Sequence, residues 1–168
     1  MKNLSVLFFI FLFTGLLAQE NTIPSVSLKT LDGKTFNTSS ISNDGKPVVI
    51  SFWATWCKPC IMELTAIAEN YETWQQETGM VLYAVSIDDS KTMSRVSPFV
   101  NSKGWEYIFL LDPNGDFKRA MNVINVPHTF LIDGSGKIID QHTSYAQGDE
   151  DQLYEKIKSI VKTTFTFF

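Results

Sequence analysis

Three observations on this 168-residue chain predict an α/β fold, a central mixed β-sheet flanked by helices. Two apolar runs, Val48 to Trp53 and Met80 to Ile87, are of the length and composition of strands buried on both faces. Between them Cys60, Leu64, Ile67, Tyr71 and Trp74 recur every three or four residues, the stripe of a helix turned towards a core. Strand, helix and strand in this order make a right-handed parallel unit. Nearer the ends, two turn-bounded segments read as antiparallel hairpins, so the sheet is expected to be mixed.

The first eighteen residues stand apart from this pattern. Lys2, an apolar run from Leu4 to Leu17, the small Ala18 and the polar Gln19-Glu20 have the layout of a secretory signal peptide, with cleavage expected after Ala18. The run is short for a spanning helix, and an uncleaved anchor is the alternative. Residues 19–168 then form one domain, expected to be monomeric and exported to a periplasmic or other extracytoplasmic space. Loss of Met1 to Ala18 removes one lysine and no acid, taking the formal charge from -4 to -5. That mild acidity offers no basic footprint for nucleic acid.

In chain order, Val26 to Leu31 alternates apolar and polar residues, and Asp32-Gly33 turns it towards Thr35-Phe36 as the first hairpin. The helix after Trp53 should end at Gly79, which supplies a left-handed cap. Asp88-Asp89-Ser90 predicts the cap of a second helix running to about Ser102 or Lys103, bent or interrupted by Pro98. Tyr107 to Leu111 reads as a strand, Asp112 to Gly115 as a turn and Asp116 to Met121 as a brief helix. Val126 to Asp133 and Lys137 to Asp140 form the second hairpin across Gly134-Ser135-Gly136. A last helix begins at Asp149 and packs through Leu153, Ile157, Ile160 and Val161. The Phe-rich end, Thr163 to Phe168, has no assignable role from its composition.

Both cysteines of the chain, Cys57 and Cys60, sit where the first buried strand enters its helix. Thiols at this spacing can close a small disulfide ring, and the free N–H groups and dipole of a helix N-terminus favour an anion. Cys57 is therefore the outer thiol, expected to ionise readily, and Cys60 the inner one, on the buried stripe. A structural zinc site needs four ligands, and a single Cys pair with the distant His128 and His142 does not supply them. A purely structural disulfide gains little from so short a ring.

These residues resemble the thioredoxin superfamily and, within it, the TlpA/ResA-like exported thiol-disulfide oxidoreductases. The resemblance rests on Phe52-Trp53-Ala54-Thr55-Trp56-Cys57-Lys58-Pro59-Cys60, on Glu63, and on Val126-Pro127-His128-Thr129-Phe130-Leu131-Ile132-Asp133, and it spans most of residues 24–162. It implies a thioredoxin fold with an extra N-terminal β-hairpin and an inserted strand-helix segment around Trp105 to Met121. It further implies that Cys57 attacks a substrate disulfide, that Cys60 resolves the mixed disulfide, and that the Val126–Pro127 peptide is cis. Trp56, Lys58, Pro59, Val126, Pro127 and His128 would then line the substrate site. The implied partners are disulfide-containing proteins, in cytochrome c maturation or the cell envelope, and a membrane electron donor; no cofactor or metal is called for.

Two positions depart from the thioredoxin pattern. Ser51 stands where thioredoxin has a buried carboxylate, six residues before the first cysteine, so proton handling must come from elsewhere. Glu63 resembles the helix glutamate of the TlpA/ResA branch; at about 100° per residue it falls at the border of the buried stripe, where it can relay the proton of Cys60. His128 occupies a place where small or hydroxyl residues are common in relatives; its imidazole could stand beside the dithiol, stabilising the thiolate or touching substrate, or could equally be a partly exposed spacer. Lys58-Pro59 puts one cation and no histidine between the cysteines, which points to a reductant. A peroxidase lacks its Pro-x-x-x-Thr-x-x-Cys pattern here. A copper-binding chaperone using Cys57, Cys60 and His128 is the alternative from another class, because soft thiolates suit Cu(I).

Overall fold

The computed structural model describes residues 21–165, which leaves the predicted leader and the last three residues outside the described residues. The chain enters through a hairpin, β1 (Ser27–Thr30) and β2 (Thr35–Asn37), joined by the Asp32-Gly33 turn with Gly33 at φ +81°. Next comes β3 (Val48–Trp53), buried at all six residues, and α1 (Lys58–Thr78), closed by Gly79 in the left-handed conformation. The parallel unit is completed by β4 (Val81–Ser86), whose register with β3 runs from Val48↔Val81 to Trp53↔Ser86.

After β4 come a 3-10 turn at Met93–Arg95 and α2 (Val96–Lys103), which is shorter and later than predicted. The helix does not start at Asp88 because that carboxylate is buried and points back into the sheet, leaving Asp89 to bond the Lys91 and Thr92 N–H groups. Pro98 lies in the first turn of α2, where a proline's missing N–H costs little. The inserted segment is β5 (Ile108–Leu111) and α3 (Asp116–Ala120). Then β6 (His128–Ile132) and β7 (Ile138–Thr143) pair as the second hairpin, with a bulge between Leu131 and Ile132. Last is α4 (Asp149–Phe165), so the start of the Phe-rich end continues the helix as far as Phe165.

The strands form one mixed sheet in the order β2-β1-β5-β4-β3-β6-β7. The extra N-terminal hairpin extends the sheet by pairing β1 antiparallel to β5. Strand alternation divides the core into two layers. On the α1 side, Val49, Trp53, Leu82 and Leu131 meet Leu64, Ile67 and Leu153. On the other, Ile50, Phe52, Val85 and Phe130 pack against Phe117 and Met121. This division decides which face each later side chain reaches.

Candidate active site

At the carboxyl end of β3 the chain leaves the sheet at Ala54, makes a turn and re-enters order as α1. Cys57 is the N-cap of that helix: its Sγ accepts from the Cys60 N–H at 3.3 Å, and Pro59 occupies the first turn. Cys57 and Cys60 are joined as a disulfide, with Cα atoms 5.3 Å apart. Cys60 is fully buried on the α1 stripe, and Cys57, predicted as the outer thiol, is itself only 5% exposed. Trp56 is 61% exposed, and Lys58 and Pro59 are also exposed, so the rim stands further out than the sulfur it surrounds.

The turn ahead of Cys57 is held from the segment that follows β4. The Asp88 carboxylate accepts from the Thr55 N–H at 2.8 Å, the Thr55 hydroxyl at 2.6 Å and the Ser86 hydroxyl at 2.9 Å. Replacing Asp88 with alanine would leave these buried and part-buried donors without their acceptor. The expected result is a loss of about 2–4 kcal/mol of stability, from the usual cost of removing a charged acceptor, with slower reaction of Cys57; chemical denaturation and thiol labelling of the reduced protein check both. Asp88 was legible in sequence only as part of the predicted cap of the next helix.

Glu63 lies deeper than the border position predicted for it, at 2% exposure. Its Oε1 accepts from the Thr129 hydroxyl at 2.9 Å and is 2.9 Å from His142 Nε2, and Thr129 Oγ1 is 3.1 Å from Ser51 Oγ. Glu63 Oε2 is buried with no hydrogen-bond partner. Ser51, the residue standing in place of a carboxylate, thus joins a polar chain that leads to one. His142 was counted in sequence only as a distant histidine. The signal that could have found it is the β6–β7 register, which pairs Thr129 with His142 and so places both on the α1 face.

The same register turns His128 the other way. Its ring stacks on Phe130 at 4.4 Å between centroids and its Nε2 meets Gln141 Oε1 at 3.0 Å, on the sheet face opposite α1. The expectation of an imidazole beside the dithiol is therefore corrected: β6 alternation gives that face to Thr129. The copper reading loses its third ligand by the same fact, and among the described residues no group of three or more His, Cys, Asp or Glu side chains is arranged to hold a metal. The Val126–Pro127 peptide is cis, with Val126 half-buried between the two core layers and Pro127 buried at the entry to β6.

Burial holds the His128 imidazole below the ordinary histidine value of 6.5, with nearby His142 adding to the effect and Gln141 opposing it. The unfolded chain then takes up this proton as pH falls through 6.5, while the folded chain does so only at lower pH. The stability owed to a neutral His128 is complete above 6.5 and is lost as pH falls through the folded value. His128→Gln is expected to flatten the decline of Tm between pH 7 and pH 5, measured against the parent protein in the same buffers; an unchanged slope counts against the assignment.

The chain is similar to known proteins over most of its length. The AhpC/TSA family model matches residues 20–141. The thiol-disulfide oxidoreductase ResA of Bacillus thuringiensis subsp. konkukian is 31% identical over 137 residues, which cover 82% of this chain and 75% of that protein. The solution structure of an uncharacterized thioredoxin-like protein from Porphyromonas gingivalis is 52% identical with a TM-score of 0.76, covering 85% of this chain and 94% of the other. StoA from Bacillus subtilis shares the fold at 24% identity and a TM-score of 0.63, over 80% of this chain and 97% of its own.

Proposed function

Because the chain belongs to the AhpC/TSA family and to the TlpA/ResA-like branch of the thioredoxin superfamily, and so is a thiol-disulfide oxidoreductase, we propose that it reduces protein disulfides outside the cytoplasm. The observation that carries this is the Cys57–Cys60 pair at the tip of α1, one sulfur capping the helix and the other sealed beneath it. Helix-tip N–H groups stabilise a thiolate on Cys57, the sulfur that begins the exchange.

Cys57 attacks a substrate disulfide and forms a mixed disulfide, releasing one substrate thiolate that takes a proton from solvent. Cys60 gives its proton to Glu63 and attacks Cys57 Sγ; the S–S bond to substrate breaks as the internal one forms. Substrate gains two electrons, and the protein leaves oxidised. A membrane thiol donor restores the dithiol. Trp56, Lys58, Pro59, Val126 and Pro127 frame the substrate segment. The predicted leader supports export, and apocytochrome c or cell-envelope proteins fit as substrates.

Insulin reduction and equilibration of the mature chain with glutathione test this reading. Turnover with a potential below about -200 mV supports a reductant, and a potential above about -180 mV overturns it in favour of an oxidant or isomerase.

A further inference from the structure

We propose that His142 completes the proton route of the resolving step, taking to solvent the proton that Glu63 receives from Cys60. This rests on the reading of Glu63 as the base for Cys60, and it adds a residue from the far edge strand to that chemistry. Four observations carry it. Glu63 lies one turn after Cys60 on α1 and is 2% exposed, so a proton left on it has no direct exit. Its Oε2 is buried and unpartnered, an oxygen able to take a proton without breaking a hydrogen bond. Its Oε1 is 2.9 Å from His142 Nε2, a contact that requires a proton between the two atoms. Finally, the His142 side chain is 25% exposed, the one member of the polar chain of Ser51, Thr129, Glu63 and His142 that is not buried.

The Cys60 thiol loses its proton to Glu63 Oε2 and its sulfur closes the bond to Cys57. The Glu63–His142 pair then holds one proton more than before: the proton between Oε1 and Nε2 settles on Nε2, and the imidazole gives its Nδ1 proton to water. Ser51 and Thr129 end in the core and serve only to orient Oε1. Other titratable groups around the pair do not compete. Burial holds the Tyr107 and Tyr145 hydroxyls far above their ordinary range, and Glu150, bonded to Tyr145, is held below its own. His128, on the other sheet face, is kept neutral by burial. His142 is absent from any sequence motif because it approaches α1 from 79 positions away.

The test uses Ellman's reagent on the reduced mature protein. The first thionitrobenzoate released reports attack by Cys57, and the second reports its resolution by Cys60. His142→Gln keeps a hydrogen-bond donor for Glu63 but cannot relay a proton; its first phase is expected within twofold of the parent and its second about tenfold slower. His142→Ala is expected to show the same defect, relieved by added imidazole, a recovery that a merely structural role does not give. If His142→Ala fails to fold, the second phase of His142→Gln measured against buffer concentration decides: buffer dependence supports the route and independence overturns it. A second phase within twofold of the parent in His142→Gln overturns it, as does a slow His142→Ala that imidazole leaves slow. Glu63→Gln separates the two levels. If it is slow while His142→Gln is not, only the inference falls; if Glu63→Gln is itself unimpaired, the reading beneath it falls as well.

Discussion

Cys60→Ser protein, expressed in the native host, is expected to accumulate covalent complexes with its substrates through Cys57, whereas Cys57→Ser protein captures nothing. The asymmetry follows from burial. Cys57 retains a narrow opening at 5% exposure and Cys60 has none, so an incoming disulfide meets only the first sulfur. A serine hydroxyl at position 57 is a far poorer nucleophile than a thiolate, and reduction of insulin should fall on the order of 10³-fold or more, as when other active-site nucleophiles are removed. With serine at position 60 the first exchange still proceeds, and the mixed disulfide has no internal thiol to release it. Gels run with and without reductant, followed by identification of the trapped partners, check this. Equal trapping by both variants would mean that the roles of the two sulfurs are reversed or shared. The partners recovered would also distinguish cytochrome maturation from general envelope maintenance.

Trp53→Ala is expected to be the most damaging single change outside the cysteines. Trp53 is fully buried at the end of β3, and its ring packs edge-on against Trp105 and Phe109 and tilted against Phe99. Removing a buried aromatic side chain of this size costs about 3–5 kcal/mol, a large part of the roughly 5–15 kcal/mol that holds a typical domain folded. The cavity would open directly beneath the turn that presents Cys57. Trp53→Phe should cost far less, since it keeps most of the apolar volume and removes an indole N–H that is buried without a partner. Urea unfolding of the three proteins measures the difference. A loss below about 1 kcal/mol for the alanine variant would show that the aromatic cluster closes over the gap.

Much of this molecule is readable from local spacing. The continuous apolar composition of Val48 to Trp53 describes a strand covered on both sides, and the structure buries all six residues. Cys60, Leu64, Ile67, Tyr71 and Trp74 mark the inward face of α1, and Gly79 its end, because a helix repeats every 3.6 residues and a left-handed cap suits glycine. Even Glu63 was in view, although a rule of angles placed it at the edge of the stripe. Neighbouring β6 and β7 supply the polar partners that let it sit fully inside.

What periodicity left open was which distant side chains share a face. In a strand, a register shift of one residue exchanges the two faces, so only the pairing of β3, β6 and β7 sends His142 and Thr129 to Glu63 and turns His128 away. Asp88 shows the same limit: nothing near it in the chain tells whether it caps the next helix or reaches across to Thr55, 33 residues earlier. The identity of the dithiol, the helix that bears it and the strands beside it were thus written in short-range pattern, where each residue's role depends on its neighbours. The polar surroundings that handle its protons arise from contacts between segments far apart in sequence, whose register exists only once the sheet has closed around them.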